Sequence, residues 1–242
     1  MNLLKLAIEF SLKEPEFPLD FRRTMLSFLK KCLTDANQGK FMDKYYGSGQ
    51  EKDFTFSVFF VRPGFQKDRI LLKQASGKML FSCAEKFTGF LFFSAFLEQQ
   101  KKPFPLEHGN YLTVQSVRKV MEPETRESRV MIKMLSPLCV REHTREGNRD
   151  QYYTYEDAGF EEKAEYVIRH KLIRAGFSEE LSGTVHIAPV NCKRTVVEFY
   201  NRKIPCSLGY FLLEGERAAL NHLLKAGLGS RCSAGFGMPE LK

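Results

Sequence analysis

The chain has 242 residues, 43% of them hydrophobic and 27% charged, enough for two small domains with cores of their own, and no run of about 18 apolar residues that would predict a transmembrane helix. The formal net charge of +8 fits a polyanionic partner or, equally, a solvated basic surface, and the first ten residues, with Lys5 and Glu9 among apolar neighbours, do not read as a signal peptide. Six scattered cysteines without a CxxC pair or a Cys/His cluster argue against zinc and against a disulfide framework, so a reduced, cytoplasmic protein is expected.

The basic excess is uneven. Residues 1–121 carry 19 Lys and Arg against 12 Asp and Glu, whereas residues 122–242 carry 18 against 17. If a nucleic acid binds, the first half should supply most of the diffuse attraction.

Residues 2–12 alternate like a strand. Asp20 offers a helix N-cap, and the spacing of Phe21, Met25, Phe28, Leu29 and Cys32 predicts a helix to about Leu33. Its other face is expected to carry Arg22, Arg23, Lys30 and Lys31. Thr34 to Asp53 reads as a polar loop holding Tyr45 and Tyr46. Residues 54–61 alternate aromatic and β-branched side chains as a strand, with further strands near 69–73 and 78–81 and a turn at Ser76-Gly77. Ser82-Cys83-Ala84-Glu85 matches a capping box and opens a phenylalanine-rich segment, 87–97, read as a buried helix with a strand as the alternative. A turn around His108-Gly109-Asn110 leads to a strand over 111–120. The resulting β-α-β-β-α-β order is the split pattern of a ferredoxin-like fold.

Glu122-Pro123-Glu124-Thr125 reads as a boundary between domains spanning 1–121 and 122–242. Beyond it come a strand at 130–134, an irregular charged stretch turning at Gly147-Asn148, the segment 151–155 and a helix over 160–175. Strands at 183–188, 194–200 and 204–213 and a helix over 217–226 follow. The expected class is α+β: two tandem ferredoxin-like (βαββαβ) domains with a C-terminal glycine-rich loop at 227–237.

That loop reads Gly227-Leu228-Gly229-Ser230-Arg231-Cys232-Ser233-Ala234-Gly235-Phe236-Gly237. One glycine is enough for a helix C-cap; four leave a backbone that can come very close to something else. A mobile tail is the plain alternative, but the two Gly-apolar-Gly triplets around Arg231 favour a packed, phosphate-facing loop.

The Gly-Leu-Gly-x5-Gly-Phe-Gly motif resembles the signature loop of the RAMP superfamily of CRISPR systems. With two ferredoxin-like halves and this length, the chain looks most similar to the family-six CRISPR-associated endoribonucleases, which cut precursor CRISPR RNA inside its repeats. Leu19-Asp20-Phe21-Arg22-Arg23 with Ser27 and Lys30, and the block Lys52-Asp53-Phe54-Thr55-Phe56-Ser57, are similar to that family's first helix and second strand. The resemblance implies metal-independent cleavage without a cofactor, in which a 2′-hydroxyl attacks the adjacent phosphorus to leave a 2′,3′-cyclic phosphate and a 5′-hydroxyl. It implies Lys52, Tyr46, Tyr45 and Lys30 as catalytic candidates. RNA contacts are expected from Arg22, Arg23, Lys31, Gly227, Gly229, Ser230, Arg231, Ser233, Gly235 and Gly237. The expected partner is CRISPR repeat RNA or crRNA, bound by a monomer or homodimer, with no membrane.

In one respect the sequence departs from the pattern. Family members often place a histidine in the loop after the first helix, but no histidine precedes His108 here. A tyrosine titrating near ~10 is a poor base unless a neighbouring Lys or Arg lowers its pKa. A second reading is therefore a non-catalytic RAMP protein holding crRNA beside other subunits of an effector complex, and a third is a ferredoxin-like module with no RNA role. Among the histidines, His222 lies five residues ahead of the glycine loop and could face it; the other four read as structural or surface residues.

Overall fold

The computed structural model describes residues 5–47, 52–121, 124–144, 146–147 and 149–242. Residues 2–4 of the expected first strand, Glu122 and Pro123 of the expected boundary and Asn148 of the expected turn lie outside the described residues.

The first half begins with β1 (Lys5–Leu12) and the short β2 (Glu16–Pro18), followed by α1 (Phe21–Asp35). Asp20 caps α1, its carboxylate accepting the Arg23 N–H at 3.3 Å, and Met25, Phe28, Leu29, Cys32 and Leu33 form the buried face. The segment read as loop contains α2 (Met42–Tyr46), which turns Tyr45 into the core. Then come β3 (Phe54–Phe60), β4 (Gly64–Phe65), β5 (Arg69–Leu71) and β6 (Ser76–Cys83). Ser76-Gly77 is not the expected turn but the start of β6. A Cβ on Gly77 would sit 2.5 Å from the Phe10 ring, so the glycine reports close packing rather than a bend.

The capping box fails for a related reason. Ser82 and Cys83 remain in β6, and α3 (Lys86–Glu98) is capped by a residue distant in sequence. Asp53 accepts the Glu85 N–H at 3.0 Å and the Thr88 hydroxyl at 3.0 Å. The phenylalanine-rich segment is a helix, and Phe92 packs on Phe81 with ring centroids 4.6 Å apart. β7 (Pro103–Pro105) and β8 (Tyr111–Lys119) finish a sheet of order β3-β6-β1-β8-β7, antiparallel at each pairing.

The second half runs β9 (Arg129–Met134), a hairpin of β10 (Val140–Thr144) and β11 (Arg149–Tyr153) in place of the irregular stretch, then α4 (Phe160–Arg174) and the short α5 (Glu179–Ser182). β12 (His186–Phe199) joins the two expected strands into one. Pro189 does not break it because β12 is an edge strand and its register shifts between Pro189 and Asn191, a bulge that needs no N–H there. β13 (Arg202–Glu214), α6 (Arg217–Ala226) and β14 (Pro239–Leu241) follow. The sequence pattern missed β14, three residues that complete the sheet by pairing with β9. The order β12-β13-β9-β14 matches β3-β6-β1-β8: second, third, first and fourth strand of a βαββαβ unit. The chain is two tandem ferredoxin-like folds.

Candidate functional site

The glycine loop is packed, not mobile, and what it packs against is protein. Leu228 and Phe236 are fully buried, and the four loop glycines are buried with them. Gly237 has φ +67°, and a Cβ there would lie 1.9 Å from the Leu228 carbonyl oxygen. Gly235 has φ +81°, and its Cβ would meet the Phe56 ring of the first half at 2.7 Å. Leu228 donates to Gly237 O at 2.8 Å, Ser230 to Cys139 O at 2.7 Å and Gly237 to Pro137 O at 2.8 Å, so these three N–H groups are engaged within the protein. From the first half, Thr55 donates its hydroxyl to Phe236 O at 2.8 Å and Ser57 to Leu135 O at 2.9 Å. The loop is a seam between the halves.

Arg22 belongs to that seam, which corrects its expected place on an RNA-facing surface. Its Nε donates to Gly235 O at 3.1 Å, and its guanidinium lies 4.6 Å from the Phe236 ring centroid. Burial pulls its pKa down to about 10, so the side chain stays charged at neutral pH but points inward. Arg231, half-buried, donates to Tyr152 at 3.0 Å and to Asp150 at 3.3 Å. Asp150 also accepts from Arg141 at 3.2 Å and pairs with His143 at 2.8 Å. Burial works to raise its pKa, but these partners outweigh it and hold the carboxyl below its ordinary range. Ser233 is half-buried. Lys31 pairs with Asp35 one helical turn on, at 2.6 Å.

Two of the other expected residues, Lys52 and Tyr45, line a cleft of ≈ 890 Å³ between the halves. The first half contributes Lys44, Tyr45, Lys52, Asp53, Glu85, Phe87 and Thr88; the second contributes Lys171, Arg174, Ala175 and His222. Four Lys and Arg side chains thus oppose two carboxylates, and low-dielectric walls on both sides strengthen their field. Lys171, itself buried, donates to Ala226 O at 3.0 Å and touches Cys232 Sγ at 3.1 Å, so it ties the cleft wall to the start of the glycine loop. Lys52 of the cleft wall and the exposed Lys30 place their ammonium groups 5.3 and 5.2 Å from the Tyr46 ring centroid, and elsewhere on α1 the exposed Arg23 lies over Tyr200.

Neither tyrosine has the lowered pKa a base would need. Burial pushes Tyr45 up to about 12, and its hydroxyl is 2.7 Å from Thr88 Oγ1. Thr88 donates its own proton to Asp53 at 3.0 Å, so in this arrangement Tyr45 is the donor to Thr88. Tyr46 is pushed up further, again by burial first, despite the two lysines over its ring. Its buried hydroxyl has no hydrogen-bond partner among the described residues, an arrangement that costs about 1–3 kcal/mol. His222 behaves in the opposite sense: burial, then the charges of Lys171 and Lys225, pull it from 6.5 down to about 4. Its ring packs edge-on against Phe177 at 5.2 Å.

Sequence reasoning missed Lys44, Lys171, Arg174 and the place of His222. Lys171, Arg174 and His222 sit on helices whose periodicity was legible, but no local pattern says that α4 and α6 line a cleft with the residues before β3. Among the described residues, no three His, Cys, Asp or Glu side chains converge to hold a metal ion, and no helix is long and apolar enough to cross a membrane.

A family model described as CRISPR associated protein Cas6, C-terminal, matches residues 120–241. No curated protein matches the chain. Solved structures share its fold. One, described as a RAMP protein binding different RNA substrates, superposes with a TM-score of 0.80 at 18% identity over 99% of both chains. A Cas6-related protein from Pyrococcus furiosus gives 0.84 at 16% identity, over 99% of this chain and 98% of that one. A Cas6 product complex gives 0.73 at 14% identity over 99% of both chains.

Proposed function

We propose, from the premise that this chain belongs to the Cas6 family of CRISPR-associated proteins, that it binds CRISPR repeat RNA and cuts it in the cleft between its two halves. The observation that carries this reading is the cleft itself, where Lys44 and Lys52 of one half face a space shared with Lys171 and Arg174 of the other. A fold by itself does not convey activity, so the family supplies the RNA and the cleft supplies a place for its chemistry.

Cleavage by an internal 2′-hydroxyl needs a group to take that proton, positive charge for the crowded phosphorane and a proton for the departing 5′ oxygen. In this reading Lys52 stabilises the phosphorane, and the exposed Arg23 and Lys30 hold the flanking backbone. Tyr46 and Tyr45 shape the site and remain protonated. The products are a 2′,3′-cyclic phosphate and a 5′-hydroxyl. Incubating the protein with its cognate repeat RNA in EDTA should give one cut with a cyclic phosphate end. Tight binding with the RNA left intact would overturn the enzyme reading.

That outcome is what the second reading expects: a non-catalytic RAMP protein that retains crRNA beside other effector subunits. The raised pKa values of both tyrosines favour it, because they remove the tyrosines as bases.

A further inference from the structure

The cleavage reaction needs a proton acceptor, and neither the tyrosines nor Asp53 of the first half suits that role. Tyr45 and Tyr46 are protonated at any pH near neutrality. Asp53 has one oxygen on the Glu85 N–H and the other on the Thr88 hydroxyl, so it is occupied in capping α3. Four of the histidines are elsewhere: His143 is on Asp150, His186 on Glu165, His170 packs on Tyr166 and His108 lines a separate small pocket. His222 is the histidine lining the cleft, from α6 of the second half.

We propose that His222 is the proton acceptor for the 2′-hydroxyl, facing from the second half the same cleft that Lys52 enters from the first. The assignment rests on the endoribonuclease reading above. In the step, the imidazole takes the 2′-hydroxyl proton as the 2′ oxygen forms its bond to phosphorus. The phosphorus–O5′ bond breaks, and the 5′ oxygen leaves with a proton from the Lys52 ammonium. Lys52 recovers a proton from water, and the imidazolium gives its own to the hydroxide so formed, which restores both groups.

The electrostatics fit a base that is tuned by its substrate. Without RNA, burial and the charges of Lys171 on α4 and Lys225 on α6 keep His222 neutral, and therefore able to accept. The cleft also presents Arg174 from α4 and, from the opposite half, the cations Lys44 and Lys52 and the carboxylates Asp53 and Glu85. A phosphodiester entering the cleft adds negative charge beside the ring and raises its proton affinity toward the operating pH, where a general base is most effective. The packing against Phe177 holds the ring in place as this happens.

The test uses the full-length protein, repeat RNA and His222→Gln, with His222→Ala as a second variant. Single-turnover cleavage by His222→Gln should fall about 10²-fold or more. RNA binding should be retained, and the acid limb of the pH–rate profile should disappear. Added imidazole should restore part of the rate to His222→Ala, which a merely misfolded variant would not allow. In wild type, the His222 ring signal followed by NMR should titrate at higher pH when repeat RNA carrying a 2′-deoxy sugar at the cut is bound. Equal cleavage by wild type and His222→Gln with the same acid limb overturns the assignment alone, as does an unmoved His222 titration with the deoxy RNA bound. Loss of the acid limb in Asp53→Asn, with His222→Gln unaffected, also overturns it. Wild-type protein that leaves repeat RNA intact overturns the function reading first, and the assignment with it.

Discussion

The glycine loop and the group around Lys52 and Tyr45 were both expected to meet RNA, and the two are built differently. In the loop, glycines let backbone approach backbone and ring: Gly237 lies under Leu228 O and Gly235 against Phe56. In the cleft, Lys and Arg side chains from both halves surround open space. The difference teaches that a glycine-rich signature marks close approach without saying to what. Here the approach is within the protein, and the loop's service to the cleft is indirect, through Lys171 holding Ala226 O.

Substitutions that separate seam from cleft test this contrast. The largest effect should come from Gly237→Ala. Its Cβ meets a carbonyl at 1.9 Å in a left-handed conformation, so unfolding free energy should drop by about 3 kcal/mol or more in denaturant titrations. Gly159→Ala is the control: φ is +79° but nothing lies within 4 Å, and the loss should stay near ~1 kcal/mol. Comparable losses at both sites would mean that the seam is not tight.

Lys52→Ala should slow repeat cleavage about 10²-fold while leaving stability within ~0.5 kcal/mol of wild type. The log–log salt slope of RNA binding should become shallower by about 1. Arg22→Met should do the reverse. Removing a buried donor from Gly235 O should cost about 1–3 kcal/mol of stability and leave the salt slope unchanged. If Arg22→Met instead flattens the salt slope as Lys52→Ala does, Arg22 reaches RNA and the contrast between seam and cleft fails.

The smallest effects should be in pH dependence. The folded pKa of His222, about 4, lies below its ordinary 6.5, so between those values the unfolded chain binds the extra proton. Its contribution to stability is therefore present above pH 6.5 and is lost as the pH falls toward 4. His222→Gln should flatten the acid side of a stability–pH curve in that window, and an identical curve would argue that the imidazole is solvated rather than sheltered by the cleft.

Much of the architecture was legible because it is written in local periodicity. The alternation of Phe54 to Phe60, the 3.6-residue spacing in α1 and α4 and the cap at Asp20 each depend on a few neighbouring residues. Failures came where a distant residue decided the outcome. Ser82-Cys83-Ala84-Glu85 has the letters of a capping box, yet Asp53, some thirty positions earlier, reaches the α3 N-terminus first. Ser76-Gly77 looks like a turn until Phe10 and Phe60 are seen to need the space. Arg22 sits among basic residues on a helix read as amphipathic, but the glycine loop, over two hundred residues away, covers it.

The sequence by itself determined the βαββαβ order of the first half, most of its repeat in the second, an uneven positive charge and a loop whose four glycines had to lie against something. Periodicity and composition act over short stretches, so they survive without knowledge of the partner. Only the tertiary structure decided that the loop lies against Phe56, Thr55 and Arg22 of the first half, and that Lys52 shares a cleft with His222. Which side chains become neighbours across two sheets depends on how the halves dock, and the buried surfaces that set that docking carry no motif.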